Sequence, residues 1–431
     1  MLGYYTQLAL KNLKGGKSLT LVIVLIVAVG IGSFVTTLTI FVAMNSDPIP
    51  GKSNRLFAIQ LEDWISDRGN NRETDQLTVD EATFLLSSGA SHRAAAMYAT
   101  KAVVAPPNPQ AHPMEVSVRA TSADFFTMFE VPFRFGSPWR IQDDAERNNV
   151  VILSTSLNNR LFSGRNSIGS ILVLDGKSYI VQGVIDKWNP LPKFFDLHAR
   201  RGYGEAEDLY LPLSRAISEH MEVSGDVACN GELLPGWEGY LHSDCVWIQM
   251  WVELSRAEDR ANYLTFLNGL TGRFEAEDAL WRPKLSDVGE WLTKNHVVSD
   301  DVRLLLVASI SFLCVCLVNA AGLMLAKVAG RSNEISVRRA LGAARNAIGI
   351  QYLVESGVVG VAGGLLGAIF AWIGLLGVKS LLADEFSQLS QMTVSATCTA
   401  VALSVLGTIS AGVYATWRAV RVEPSLHLKD Q

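Results

Sequence analysis

Residues 18–46 contain no charged side chain, and the run 19–44 inside them is predominantly apolar. A helix crossing about 30 Å of hydrocarbon at about 1.5 Å per residue needs about 20 such residues, so this segment is long enough to span a bilayer. Three more windows of the same kind follow: 304–326 between Arg303 and Lys327, 356–378 between Glu355 and Lys379, and 394–417 ending at Arg418. None of the four holds an Asp, Glu, Lys, Arg or His in its interior. That counts against a midplane ion or proton site of the kind secondary transporters use. The whole chain of 431 residues is 18% charged, against roughly 25% for a soluble domain.

The first window is read as an uncleaved anchor. A secretory signal carries an apolar run of about 7 to 15 residues and then a small-residue cleavage site, whereas this run has 26 residues and ends in Ala43, Met44 and Asn45. Lys and Arg in short flanks set orientation. Lys11, Lys14 and Lys17 precede the first span, and the 327–355 loop sets Lys327, Arg331, Arg338, Arg339 and Arg345 against Glu334 and Glu355, a net of +3. The loop between the last two spans has a net of −1 and the tail from Arg418 onward a net of +1. Both termini and the 327–355 loop are therefore expected in the cytoplasm. The expected order is a cytoplasmic amphipathic segment 1–17, a first span within 18–46, an extracytoplasmic domain 47–303, spans 304–326, 356–378 and 394–417, a short outer loop 379–393 and a cytoplasmic tail 418–431.

Residues 47–303 carry 25 Lys or Arg and 36 Asp or Glu, a net of −11. Such a surface gives no support to nucleic-acid binding. Strand-like alternation at 55–61, 116–120, 149–153, 170–174, 177–185 and 247–254 is interleaved with helical patches at 124–129 and 256–269. Thr78, Val79, Asp80 and Glu81 read as a capping box that opens another helix. The expected fold is a large α+β extracytoplasmic domain, with room for two lobes, inserted between the first and second of four transmembrane helices. Residues 188–240 read as loop-rich. Cys229 and Cys245 both lie in this domain, in an oxidising compartment if the orientation holds, and a disulfide between them would add about 3 kcal/mol; free thiols are the alternative.

Catalytic motifs are missing from the sequence. Three Gly-Lys-Ser triplets, at 16–18, 51–53 and 176–178, lack the glycine five positions earlier that a phosphate loop requires, having Lys11, Ser46 and Ile171 there. The seven histidines show no H-E-x-x-H or comparable metal spacing, and no G-x-S-x-G elbow occurs. No enzyme, metal or cofactor site is expected in the chain.

The informative segment lies between the second and third spans. Val337, Ala340, Leu341, Ala344 and Ile348 recur at helical spacing, with Arg338 and Arg339 on the other side and Glu334 one turn before Arg338. Gly342 interrupts this pattern at a cost of about 1 kcal/mol. A helix lying on lipid headgroups and a surface that docks a partner fit this pattern equally well. Within the third span, Gly360 and Gly364, and Gly363 and Gly367, are small-xxx-small pairs that allow close helix approach.

Residues 331–343, Arg-Ser-Asn-Glu-Ile-Ser-Val-Arg-Arg-Ala-Leu-Gly-Ala, followed by Gln351 and Glu355, resemble the signature after the second transmembrane helix of the MacB/FtsX/LolCE type of ABC transporter permease. Ala9 to Lys14 with Gly30 to Gly32 resemble that family's amphipathic start and first span. Phe125, Phe126, Gly136, Ile168, Gly169 and 179–184 are similar to its MacB-like periplasmic core domain. Trp417, Arg418, Ala419 and Pro424 resemble its closing motif, with Ala415 where a proline is common. The resemblance implies a dimer with a second permease copy or paralogue in the bacterial inner membrane, driven by separate ATPase subunits that bind ATP and Mg. It assigns Glu334, Arg338, Arg339, Leu341, Gly342 and Ala343 to the loop that receives the ATPase. Some relatives also join a periplasmic adaptor and an outer-membrane duct. An exporter, an FtsX-like regulator of an extracytoplasmic partner such as a cell-wall hydrolase, and a membrane-anchored sensor remain as readings, with the basic loop weighing against the last.

Overall fold

The computed structural model describes residues 17–65, 72–106, 110, 112–197, 202–204, 206–229, 235–270, 279–331, 337, 341–342, 344–381 and 394–421. The chain divides into two compact units, one made of Met1–Asn45 and Val298–Gln431 and the other of Ser46–Val297.

Among the described residues the first unit contains four helices long and apolar enough to cross a membrane. These are α1 (Lys17–Met44), α2 (Asp300–Ala329), α3 (Arg345–Leu381) and α4 (Val394–Arg421). α1 is the hub, packing against each of the other three. Its Ile23, Val27, Ile31 and Val35 are buried at every fourth position and meet mostly small residues, among them Ala320 of α2, Ala371 of α3 and Ala400 of α4. Branched side chains on one helix against alanines and glycines on its neighbours bring backbones close, which is how helices associate where solvent supplies no hydrophobic force. The remaining faces carry exposed Leu21, Leu25, Val315, Leu365 and Leu406, a pattern suited to contact with acyl chains.

The second unit is a mixed α/β domain. Its strands are β1 (Leu56–Ile65), β2 (Arg72–Thr74), β3 (Arg93–Ala105), β4 (Met114–Thr121), β5 (Phe133–Gly136), β6 (Val150–Ser154), β7 (Ile171–Leu174), β8 (Lys177–Ile185), β9 (Leu209–Pro212), β10 (Ala228–Cys229), β11 (Cys245–Val246), β12 (Gln249–Glu253) and β13 (Ala279–Asp287). Among the described residues eleven of them form one sheet in the order β13-β1-β12-β3-β4-β9-β6-β8-β5, with β2 on β1 and β7 on both β3 and β8. Pairing is antiparallel except for β4 with β9 and β6 with β8. One contiguous core runs along the sheet, from Phe57 and Ile59 through Tyr98 and Val118 to Val151 and Val184.

The local signals read in the sequence translate directly. Thr78 and Glu81 form the capping box of helix Val79–Ser87, and Phe125, Phe126 and Met128 are the buried side of helix Asp124–Met128. Asp175 and Gly176 form the β7–β8 turn, both with positive φ (48° and 80°). Strand β3 had no counterpart in the sequence reading. Its Ala-rich start favours helix by propensity, and positions 95–98 are all buried, so no alternation marks them. The segment read as loop-rich, 188–240, holds β9, β10 and the short helices Leu213–Ser218 and Gly236–Leu241.

Candidate functional site

The two chain connections of the extracytoplasmic unit lie side by side. Incoming β1 and outgoing β13 form a long antiparallel ribbon, with Phe57 opposite Asp287 and Ile65 opposite Ala279. Ahead of β1, Lys52 and Arg55 reach Glu253 at the end of β12 (3.3 and 3.4 Å), and Arg93 of β3 joins them at 3.1 Å. The Glu253 side chain is only 1% exposed, so three cations hold one desolvated carboxylate and lock the incoming segment onto the sheet. Lys52 also donates to the carbonyls of Thr127 and Met128 (2.9 and 3.3 Å), which helix Asp124–Met128 leaves free at its end.

The outgoing side is clamped too. Asp287 and Glu290 make a capping box at the start of helix Val288–Lys294. Arg260 binds Glu290 at 2.7 Å and donates to the Leu285 carbonyl at 2.6 Å; its hydrogen bonds hold the Glu290 carboxyl below the usual range. The Trp291 indole donates to the Phe194 carbonyl (2.8 Å), Lys294 pairs with Asp75 (2.9 Å), and the Tyr203 hydroxyl donates to the Val297 carbonyl (3.0 Å).

Between this root and the far half of the sheet lies a buried charge network. Arg119 on β4, fully buried, donates to Glu207 and Asp196 and through a further nitrogen to Gln249 Oε1 at 3.3 Å. Lys193 donates to Glu207 at 2.6 Å, and both cations sit over the Phe195 ring. Burial alone would raise the Glu207 carboxyl, but the charges of Arg119 and Lys193 outweigh it and hold it at about 2. Asp196 is likewise lowered, against the cost of burial, by the same two cations. Two positive and two negative groups balance, and they tie β12, β4, the 192–196 loop and the approach to β9 into one unit. The aromatic rings of Phe125, Phe129, Phe194 and Trp251 pack alongside.

The sequence-chosen residues fall in several places. Cys229 and Cys245 are cross-strand partners in β10–β11 and are joined by a disulfide. The glycines of α3 face two helices of the same chain. A Cβ on Gly364 would stand 2.8 Å from Val401 Cα of α4, whereas one on Gly363 would meet Val27 and one on Gly367 would meet Ile31, both of α1, at 2.9 Å. Gly360 also faces α4, at Ser404 and Val405, and Ser404 Oγ donates to its carbonyl at 2.7 Å. Just before α3, Leu341 is 82% exposed and Gly342 has a φ of +96°, a turn conformation that glycine adopts without strain. Glu334, Arg338, Arg339 and Ala343 lie outside the described residues.

One feature escaped the sequence reading. Lys327, just past the second apolar window, and Glu355, just before the third, form a buried ion pair at 2.6 Å, and Lys327 also donates to Thr20 Oγ1 of α1 at 2.9 Å. Opposite charges at the facing ends of consecutive spans were the available signal. Among the described residues no group of three or more His, Cys, Asp or Glu gathers as a metal set. The Gly-Lys-Ser lysines at 52 and 177 instead make ion pairs, with Glu253 and Glu219.

Residues 20–262 match the family described as MacB-like periplasmic core domain, and residues 306–424 match the FtsX-like permease C-terminal family. The macrolide export ATP-binding/permease protein MacB of Salmonella paratyphi A is 26% identical over 254 residues, 58% of this chain and 34% of that protein. The chain thus spans about a third of the length of that relative. An uncharacterized ABC transporter permease of Bacillus subtilis, YvrN, is 24% identical over 70% of this chain and 67% of its own length. Among solved structures, the periplasmic region of MacB from Actinobacillus actinomycetemcomitans covers 58% of this chain and 96% of its own at 13% identity, with a TM-score of 0.36. The extracellular domain of the noncanonic ABC-type transporter YknZ from Gram-positive bacteria covers 52% of this chain and 98% of its own at 12% identity, with a TM-score of 0.33.

Proposed function

Because the chain belongs to the MacB/FtsX-type family of ABC transporter permeases, we propose that it is the membrane subunit that carries ATP-driven motion to its extracytoplasmic domain, expelling a peptide, antibiotic or lipid-like molecule. The observation that carries this reading is the β1–β13 ribbon: the strands that follow α1 and precede α2 in the chain are hydrogen-bonded neighbours, so displacement of either connection is shared by both. The charge network around Arg119 then passes it onward without a compliant joint, since a fully satisfied buried network is rigid. In this reading ATP and its Mg are bound by an ATPase that docks on residues 331–343. In this reading the chain sits in the bacterial inner membrane with both termini in the cytoplasm, beside a second permease copy or paralogue. An adaptor and outer-membrane duct would complete an export path.

The test is co-purification with the partner ATPase. Charge reversal at Glu334, Arg338 and Arg339, or Leu341→Asp, is expected to abolish both complex formation and stimulated ATP hydrolysis; variants that keep both would remove the docking role. The match of residues 306–424 to the FtsX-like family also supports a non-transporting regulator. Capture of a cell-wall hydrolase by the full chain, with no adaptor and no ATP-dependent efflux, would favour it.

A further inference from the structure

The Lys327–Glu355 pair links the end of α2 to the first turns of α3. Lys327 lies in the last turn of α2, and Glu355 lies about three turns into α3. The Lys327 ammonium sits 2.6 Å from Glu355 Oε1 and 2.9 Å from Thr20 Oγ1 of α1, so a single charge links three helices. The two side chains are 10% and 6% exposed. Neither carboxylate oxygen of Glu355 has a hydrogen-bond partner beyond the ion pair itself, and the carboxylate lines a small cavity with Ile23, Met324, Tyr352 and Ser356.

Stability explains this arrangement poorly. Taking two charges out of water costs about as much as their attraction returns, and apolar residues of similar volume commonly replace a buried pair without loss. What an ion pair adds is one defined geometry.

We propose that Lys327, Glu355 and Thr20 form a clasp that fixes the end of α2 and the start of α3 against α1, so that displacement of either reaches all three helices. Lys327 and Glu355 are positioning residues, since they act through the helices they join. The consequence for the whole chain follows from connectivity: α1 runs on in sequence to Lys52 and β1, and α2 follows β13. Both strands of the ribbon are then driven from one point. That an ATPase moves these helix ends rests on the function proposed above; that the clasp holds them does not.

Hydrogen exchange of the full chain in lipid nanodiscs separates the two. Exchange at amides 345–355 is expected to rise about tenfold in Lys327→Met and in Glu355→Gln, and about threefold in Thr20→Val, which loses only the bond to α1. The reversed pair Lys327→Glu/Glu355→Lys is expected to return exchange to within about threefold of the original. The apolar double variant Lys327→Met/Glu355→Met is expected to unfold at the same temperature or higher and still exchange fast. Slow exchange in that double variant, or no recovery in the reversed pair, would overturn the clasp. If exchange responds as expected while ATP hydrolysis by an added ATPase does not change, the clasp stands and the ATPase reading fails.

Discussion

The Val288 amide donates to the Ser53 carbonyl at 3.3 Å, tying the segment that leaves the extracytoplasmic sheet to the segment that enters it. Phe57 and Asp287 face each other one step further into the ribbon. Two chain ends that arrive separately are thus one structural element by the time the sheet begins, and force on either is borne by both. Four measurements probe what this root and the helices depend on.

Glu253→Gln leaves Lys52, Arg55 and Arg93 around a buried neutral group. Its cost is expected to be about 2 kcal/mol or more, whereas Arg55→Gln, at a side chain 36% exposed, should cost under about 1 kcal/mol. Thermal unfolding of the full chain followed by tryptophan fluorescence compares them.

Acid should loosen the Arg119 network. The folded chain holds Glu207 at about 2, so the unfolded chain takes up its proton first as pH falls, and the stabilisation present above about 4.5 is lost between there and about 2. Glu207→Gln should flatten the stability profile in that window. Arg119→Met, which leaves two carboxylates to Lys193 alone, should destabilise by about 3 kcal/mol at neutral pH.

Asp144 behaves in the opposite sense. Burial raises its carboxyl to about 7, although it accepts from the Ala123 amide at 2.7 Å and the Trp139 indole at 3.0 Å. The folded chain therefore binds the extra proton between about pH 4 and 7, and stability should fall as pH rises through that range. Asp144→Asn should abolish this slope in a chemical-denaturation series from pH 5 to 8.

At Gly364 a new Cβ would stand 2.8 Å from Val401 Cα and 3.0 Å from Ser404 Cβ, leaving no room for a side chain between α3 and α4. Gly364→Val should cost about 1–3 kcal/mol or more through overpacking, read as earlier thermal aggregation in detergent. Gly377→Ala, with nothing within 4 Å of its Cβ, should be neutral or slightly stabilising.

Legibility in the sequence tracked the range of the interactions. The capping box from Thr78 to Glu81 spans four residues, and the Asp175-Gly176 turn spans two; each was readable because all its partners lie within one turn. Strand β3 was not, because its first half is buried on both faces at 95–98, which erases there the alternation that identifies a half-exposed strand. The charges of Arg119, Lys193, Asp196 and Glu207 looked like any others in an acidic domain. Nothing local distinguishes a desolvated carboxylate from a solvated one.

The sequence by itself determined the membrane helices, since a bilayer selects for length and apolarity, both local properties of a segment. It also determined that an acidic domain of net −11 lies between the first and second of them. Only the tertiary structure decided that β1 pairs with β13 across more than 200 residues of chain, that α3 turns one glycine pair to α1 and another to α4, and that Lys327 meets Glu355 and Thr20. Those contacts join residues distant in sequence, and their partners are chosen by topology and by what burial leaves unsatisfied, which no single segment encodes.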